Sequence, residues 1–152
     1  MSLRSSLLLF ALCLSSSLSH AVDWYYIGDG HNGQTAILYD KDSIKRNASK
    51  VRMWTWIVFR NYEPQFNNGN SVKQFWEFDC KDEFQEMIYS AVYRDGNPVL
   101  TEKGNPKDAR PVIPGSFDEV FYGVACGKQS KSIRSGNVNE TDIRNTIWKS
   151  AE

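Results

Sequence analysis

Apolar and polar positions alternate with a period of two through most of the stretch from Val22 to Glu102, the pattern of strands that turn one face to a core. The longest run, Val51 to Asn61, carries Val51, Met53, Thr55, Ile57 and Phe59 on one face and Arg52, Trp54, Trp56, Val58 and Arg60 on the other. Both faces are apolar in the middle. This predicts a central strand covered on both sides at its waist, by a helix on one side and by a partner or loop on the other. Shorter strands are predicted at Trp24–Ile27 and Thr35–Asp40, separated by the glycine-rich turn Gly28–Gly33, and at Val72–Cys80 after the turn Asn67–Asn70. The segment Phe84–Arg94 carries two signals. Phe84, Met87, Ile88 and Ala91 fit helical spacing, while Ile88, Tyr89, Val92 and Tyr93 favour strand, and Asp95-Gly96-Asn97-Pro98 then makes a hairpin turn into Val99–Glu102. Strand is the preferred reading and helix the alternative.

One helix is well signalled. Ser116 stands at an N-cap with Glu119 three residues on, the breaker pair Pro114-Gly115 precedes it, and Phe117, Val120, Phe121 and Val124 share a face until Gly127 ends it. Beyond it, residues 128–152 are polar, with a weak amphipathic segment from Asp142 to Lys149 around Ile143, Ile147 and Trp148. A polar tail is expected there, with or without a short docked helix.

The N-terminus sets the compartment. Arg4 precedes the eight-residue apolar run Leu7–Leu14, and Ser19-His20-Ala21 is a small-x-small cleavage pattern, so residues 1–21 are expected to be a signal peptide, with a mature start at Val22. The run is too short for a membrane-spanning helix, and no transmembrane segment is expected. Leu12 in front of Cys13 argues against acylation of that cysteine. Cleavage leaves 131 residues, one domain by length, expected over residues 22–127 with the tail after it. It also removes Cys13, so Cys80 and Cys126 form an even pair in an exported chain, which favours a disulfide pinning the helix to the strand that ends at Cys80. The 18 basic and 18 acidic residues of the whole chain balance, which gives nucleic acid no electrostatic footing as a partner.

Candidate chemistry is sparse. Once His20 leaves with the signal, His31 is the one histidine, without a second ligand at metal spacing. There is no Cys-His pair and no Gly-x-Ser-x-Gly elbow. Gly28–Gly33 matches neither a phosphate loop nor an EF-hand. Glu77 and Asp79 share a strand face and could act as paired carboxylates, although neighbouring acids on an exposed face are more often solvated charge. Asn47-Ala48-Ser49 and Asn139-Glu140-Thr141 fit the glycosylation sequon, which matters only on a eukaryotic secretory route. No catalytic residue, cofactor or metal is therefore expected. The basic cluster Lys41, Lys45, Arg46, Lys50 and Arg52 is either a solvated turn or a contact patch. Trp54, Trp56 and Trp76 add more aromatic surface than one helix would cover.

Taken together, Trp24-Tyr25, Tyr39-Asp40 with Ser43-Ile44, Val51-Arg52-Met53-Trp54, Trp76-Glu77-Phe78-Asp79-Cys80, Tyr93 with Gly96, and Pro114-Gly115-Ser116 with Glu119 and Cys126 resemble the surface-adhesin protein E family of Gram-negative bacteria. The resemblance implies an α+β fold, a single antiparallel sheet of about six strands with a C-terminal helix docked across it and the two cysteines bonded. It implies binding of host extracellular-matrix or plasma proteins at the cell surface rather than catalysis. The alternative is a periplasmic structural or assembly protein that binds another envelope component, or a second copy of itself, through the aromatic sheet face; a small hydrolase ranks behind both.

Overall fold

The computed structural model describes residues 22–30, 33–128, 133–136 and 140–148. The expected signal peptide and His31 lie outside the described residues. All strand pairings are antiparallel, along the path β7-β6-β5-β4-β2-β1-β9. The strands on it are β1 (Trp24–Gly30), β2 (Thr35–Asp40), β4 (Lys50–Glu63), β5 (Gly69–Asp79), β6 (Phe84–Arg94), β7 (Asn97–Lys103) and β9 (Ile133–Gly136). Two short strands stand off the path: β3 (Lys45–Asn47) pairs β4, and β8 (Arg110–Pro111) pairs β6. The nine strands among the described residues exceed the roughly six expected because β3 and β8 are too short to show an alternation and β9 lies in the polar tail.

Phe84–Arg94 is strand. Its helix-like spacing marks no common face: a register shift pairs Phe75 with Tyr89 but Trp76 with Met87, leaving Ile88 as the extra residue of a bulge. The core-facing positions therefore run Gln85, Met87, Ser90, Val92, while Phe84 and Ala91, which shared the helical spacing with Met87, face the other side of the sheet.

The sheet carries a helix on each face. Helix α1 (Phe117–Ala125) begins at Ser116, whose Oγ accepts the Glu119 N–H, while Glu119 Oε2 accepts the Gly115 N–H at 2.7 Å. It ends at Gly127, whose φ of +71° takes the chain out of the helix. Phe121, Tyr122 and Ala125 bury against Ile37, Met53, Val72, Trp76 and Phe78. The disulfide joins the end of β5 to the end of this helix, with Cys80 and Cys126 Cα atoms 5.5 Å apart, inside the reach of an unstrained bridge.

Over Trp56 and Val58 the second face of β4 is covered by helix α2 (Glu140–Trp148), built from the weakly amphipathic tail segment. Ile143 and Trp148 pack on Trp24, Ala36, Leu38, Trp56 and Val58. Polar contacts fix the docking. Arg144 donates to the Phe59 and Arg60 carbonyls at 2.5 and 2.7 Å, Ser71 Oγ donates to Glu140 at 3.0 Å, and Trp148 Nε1 donates to the Gly33 carbonyl at 2.8 Å. The burial of both helices supplies the stability that segments of nine residues lack alone.

Candidate binding face

Helix α2 covers only part of its face. Farther along β4, β5 and β6, alternation brings Trp54, Phe75 and Tyr89 to the same side, and all three are partly exposed. Trp54 stacks on Phe75 with ring centroids 5.1 Å apart and meets Tyr89 edge-on at 6.0 Å. Its backbone N–H donates to Ser43 Oγ at 2.8 Å, which ties the strand to the turn after β2. Beside this aromatic floor lies an open groove of about 460 Å³, lined among others by Val22, Trp24, Trp54, Lys73, Tyr89 and Tyr93. The Lys73 ammonium sits over three rings there, 4.7 Å from the Trp56 centroid, 5.1 Å from Tyr93 and 5.4 Å from Trp24.

The other end of the floor is charged. Lys50 Nζ and Arg52 Nε donate to the two oxygens of Glu77 at 2.5 and 2.6 Å. Burial by itself pushes the Glu77 carboxyl up, but the bonds from Lys50 and Arg52 outweigh it and hold the group below its ordinary range. A carboxylate whose folded pKa is depressed stabilises the fold above its unfolded pKa and loses that contribution as pH falls through the folded value. The stability of the native chain should accordingly fall more steeply between about pH 5 and pH 3 than that of Glu77→Gln, by a few tenths to about 1 kcal/mol, since the cations are exposed. Urea unfolding of both proteins across that range checks this, and parallel curves would remove Glu77 from the account. Asp79, its strand neighbour, is occupied elsewhere: its Oδ1 accepts the N–H groups of Lys81 and Asp82, closing the turn after β5.

The structure separates the eight residues that sequence reasoning grouped as a surface. Lys50, Arg52 and Trp54 share the open face, and Lys45, paired with Arg52 across the β3–β4 hairpin, stands beside them. Arg46 points to the opposite face, where it donates to the Ala125 carbonyl at the end of α1 at 2.6 Å. Lys41 lies 5.1 Å from the ring of Tyr25, which packs on the α1-side core. Trp56 and Trp76 are both buried, in the α2-side and α1-side cores respectively. Lys73, Phe75, Tyr89 and Tyr93 carry no binding signal in the sequence. Alternation places Lys73 and Phe75 on one face of β5, but that this is the face of Trp54 depends on the pairing of Trp54 with Phe75.

Among the described residues, no group of three or more His, Cys, Asp or Glu side chains is placed to hold a metal ion, and no helix is long and apolar enough to cross a membrane. Comparison with curated proteins found no match. The family model described as surface-adhesin protein E matches residues 24–127, more than half of the chain. The matched stretch runs from the first residue of β1 to the glycine that follows the disulfide, and the chain belongs to the surface-adhesin protein E family.

Proposed function

We propose that this chain is a non-enzymatic binding module, exported to the bacterial cell envelope by cleavage after Ala21, that holds a host extracellular-matrix or plasma protein against the open part of its α2-side face. The observation that carries the reading is the floor of Trp54, Phe75 and Tyr89, left uncovered by α2 and flanked by Lys45, Lys50 and Arg52. Aromatic rings fixed by their neighbours, beside arginine and lysine, are the composition of a protein-binding hot spot, because they desolvate large areas at little cost in side-chain entropy. Membership of an adhesin family supports the same reading.

Surface plasmon resonance against immobilised laminin, vitronectin and plasminogen tests it on the chain recovered after export. Saturable binding to at least one, from protein accessible on intact cells, is the expected result. No saturable binding to any of them, with all of the protein in the periplasmic fraction, overturns the host-binding reading in favour of an internal envelope partner or a second copy of the chain.

A further inference from the structure

Lys73 leaves the middle of β5 and ends half-buried in the groove, over the rings of Trp56, Tyr93 and Trp24. Ring faces offset only part of the cost of removing an ammonium from water, and such a group normally finds an anion or carbonyl as well. Among the described residues Lys73 makes no hydrogen bond or ion pair. Burial pushes its pKa down, and only Glu140 pulls it back. The Glu140 carboxylate is itself committed to Ser71 and to Arg144. The acid of the groove wall, Asp40, spends its Oδ1 on the N–H groups of Asp42 and Ser43. A cation without a direct hydrogen-bonded anionic partner among the described residues thus sits in an aromatic groove that is open to solvent, and cleavage after Ala21 would leave the α-amino group of Val22 in the same lining.

We propose that this groove binds a carboxylate carried on an apolar or aromatic group, the acid on the Lys73 ammonium and the apolar part against Trp24, Trp54 and Tyr89. The charge and the walls choose this chemistry. A lysine ammonium among rings, with only the Val22 α-amino group of the exported chain as a second cation in the lining, suits a carboxylate with an apolar body, whereas phosphate or sulfate recognition favours an arginine fork, and no arginine lines the groove. About 460 Å³ lies at the small end of ligand sites, enough for one aromatic residue and its carboxylate. The inference rests on the binding-module reading for the use of this face and adds the ligand chemistry. The same chemistry comes from two sources, the C-terminal residue of a protein partner or a free organic acid.

Tryptophan fluorescence and calorimetric titration of the exported full chain test it with three probes: N-acetyl-L-phenylalanine, its C-terminal amide, and an acetylated Gly-Gly-Ala-Phe peptide with a free carboxylate. The acid should bind about tenfold or more tighter than the amide. Lys73→Met, which keeps most of the stem and removes the charge, should remove most of that difference, and Lys73→Arg should retain most of it. Lys73→Met should also melt no lower than the native chain, because it removes a desolvated charge without an anionic partner. A peptide that binds well above the single acid identifies a chain terminus as the source; equal binding identifies a free acid. Equal affinity for acid and amide, or a Lys73→Met that prefers the acid as strongly as the native chain does, overturns the inference. Failure of all three probes while matrix proteins still bind defeats this inference alone. Binding of the acid without any matrix-protein binding defeats the host-binding reading and leaves the site standing.

Discussion

Replacing Cys80 and Cys126 together by serine should lower the unfolding free energy by about 2–5 kcal/mol and the melting temperature by about 10 °C or more. The bond closes a loop between residues 46 apart in sequence, so its loss restores conformational freedom to the unfolded chain. It also fastens a short helix. The C-terminal end of α1 is held by the bond itself, by Arg46 on the Ala125 carbonyl, and by the Tyr122 hydroxyl on the Cys80 carbonyl at 3.3 Å. The double replacement removes the strongest of these ties, and the burial of Phe121 and Tyr122 behind it should loosen. Thermal melts with and without reductant, together with mass spectrometry after alkylation, check the prediction. Alkylation of the unreduced chain lacking Cys13 should find no free thiol; a count of two would overturn the bond and the anchoring of α1 with it.

Trp148→Ala should cost about 3–5 kcal/mol, the range for truncating a buried tryptophan. The ring fills the α2-side core against Trp24, Trp56 and Leu38, and its Nε1 donates to the Gly33 carbonyl, so truncation leaves both a cavity and an acceptor without its donor. Arg144→Ala should cost less, about 1–3 kcal/mol, by leaving the Phe59 and Arg60 carbonyls without their guanidinium donor. Both changes act through the same helix, so the double replacement should fall short of the sum. Urea unfolding followed by tryptophan fluorescence measures all three. A cost below about 1 kcal/mol for Trp148→Ala would mean that α2 contributes little to the fold.

The parts of this fold that were legible in the sequence are those where a local pattern carries its own cause. The alternation of β4 betrays a strand buried on both faces, and Ser116 with Glu119 and Gly127 marks out α1. The covering of the second face was less legible, because the α2 segment joins few apolar residues to many charges, and its docking depends on Arg144 reaching backbone carbonyls that no sequence pattern reveals. In β6 the helical spacing of Phe84, Met87, Ile88 and Ala91 is a coincidence of composition, for the strand divides them between its two faces and a bulge at Ile88. For the candidate face the missing quantity was register. Alternation alone tells that Trp54 and Trp56 share a face, but the opposition of Trp56 to Trp76 follows only once Met53 is seen to pair with Trp76 and Trp56 with Lys73. That same pairing puts Lys73 among the rings, and the β3–β4 pairing sets Lys45 beside Arg52 but Arg46 beside Val51 on the opposite side of the sheet.

The claim that the open α2-side face holds the partner is tested most directly by comparing replacements on the two faces for affinity to whichever matrix or plasma protein the native chain binds. Trp54→Ala and Lys45→Glu, on the open face, should each weaken binding about tenfold or more, with Lys45→Glu melting as the native chain does and so separating loss of contact from loss of fold. Lys41→Glu, whose side chain packs on Tyr25 at the opposite face, should bind as the native chain does. Native affinity in both Trp54→Ala and Lys45→Glu, or an equal loss in Lys41→Glu, would contradict the account.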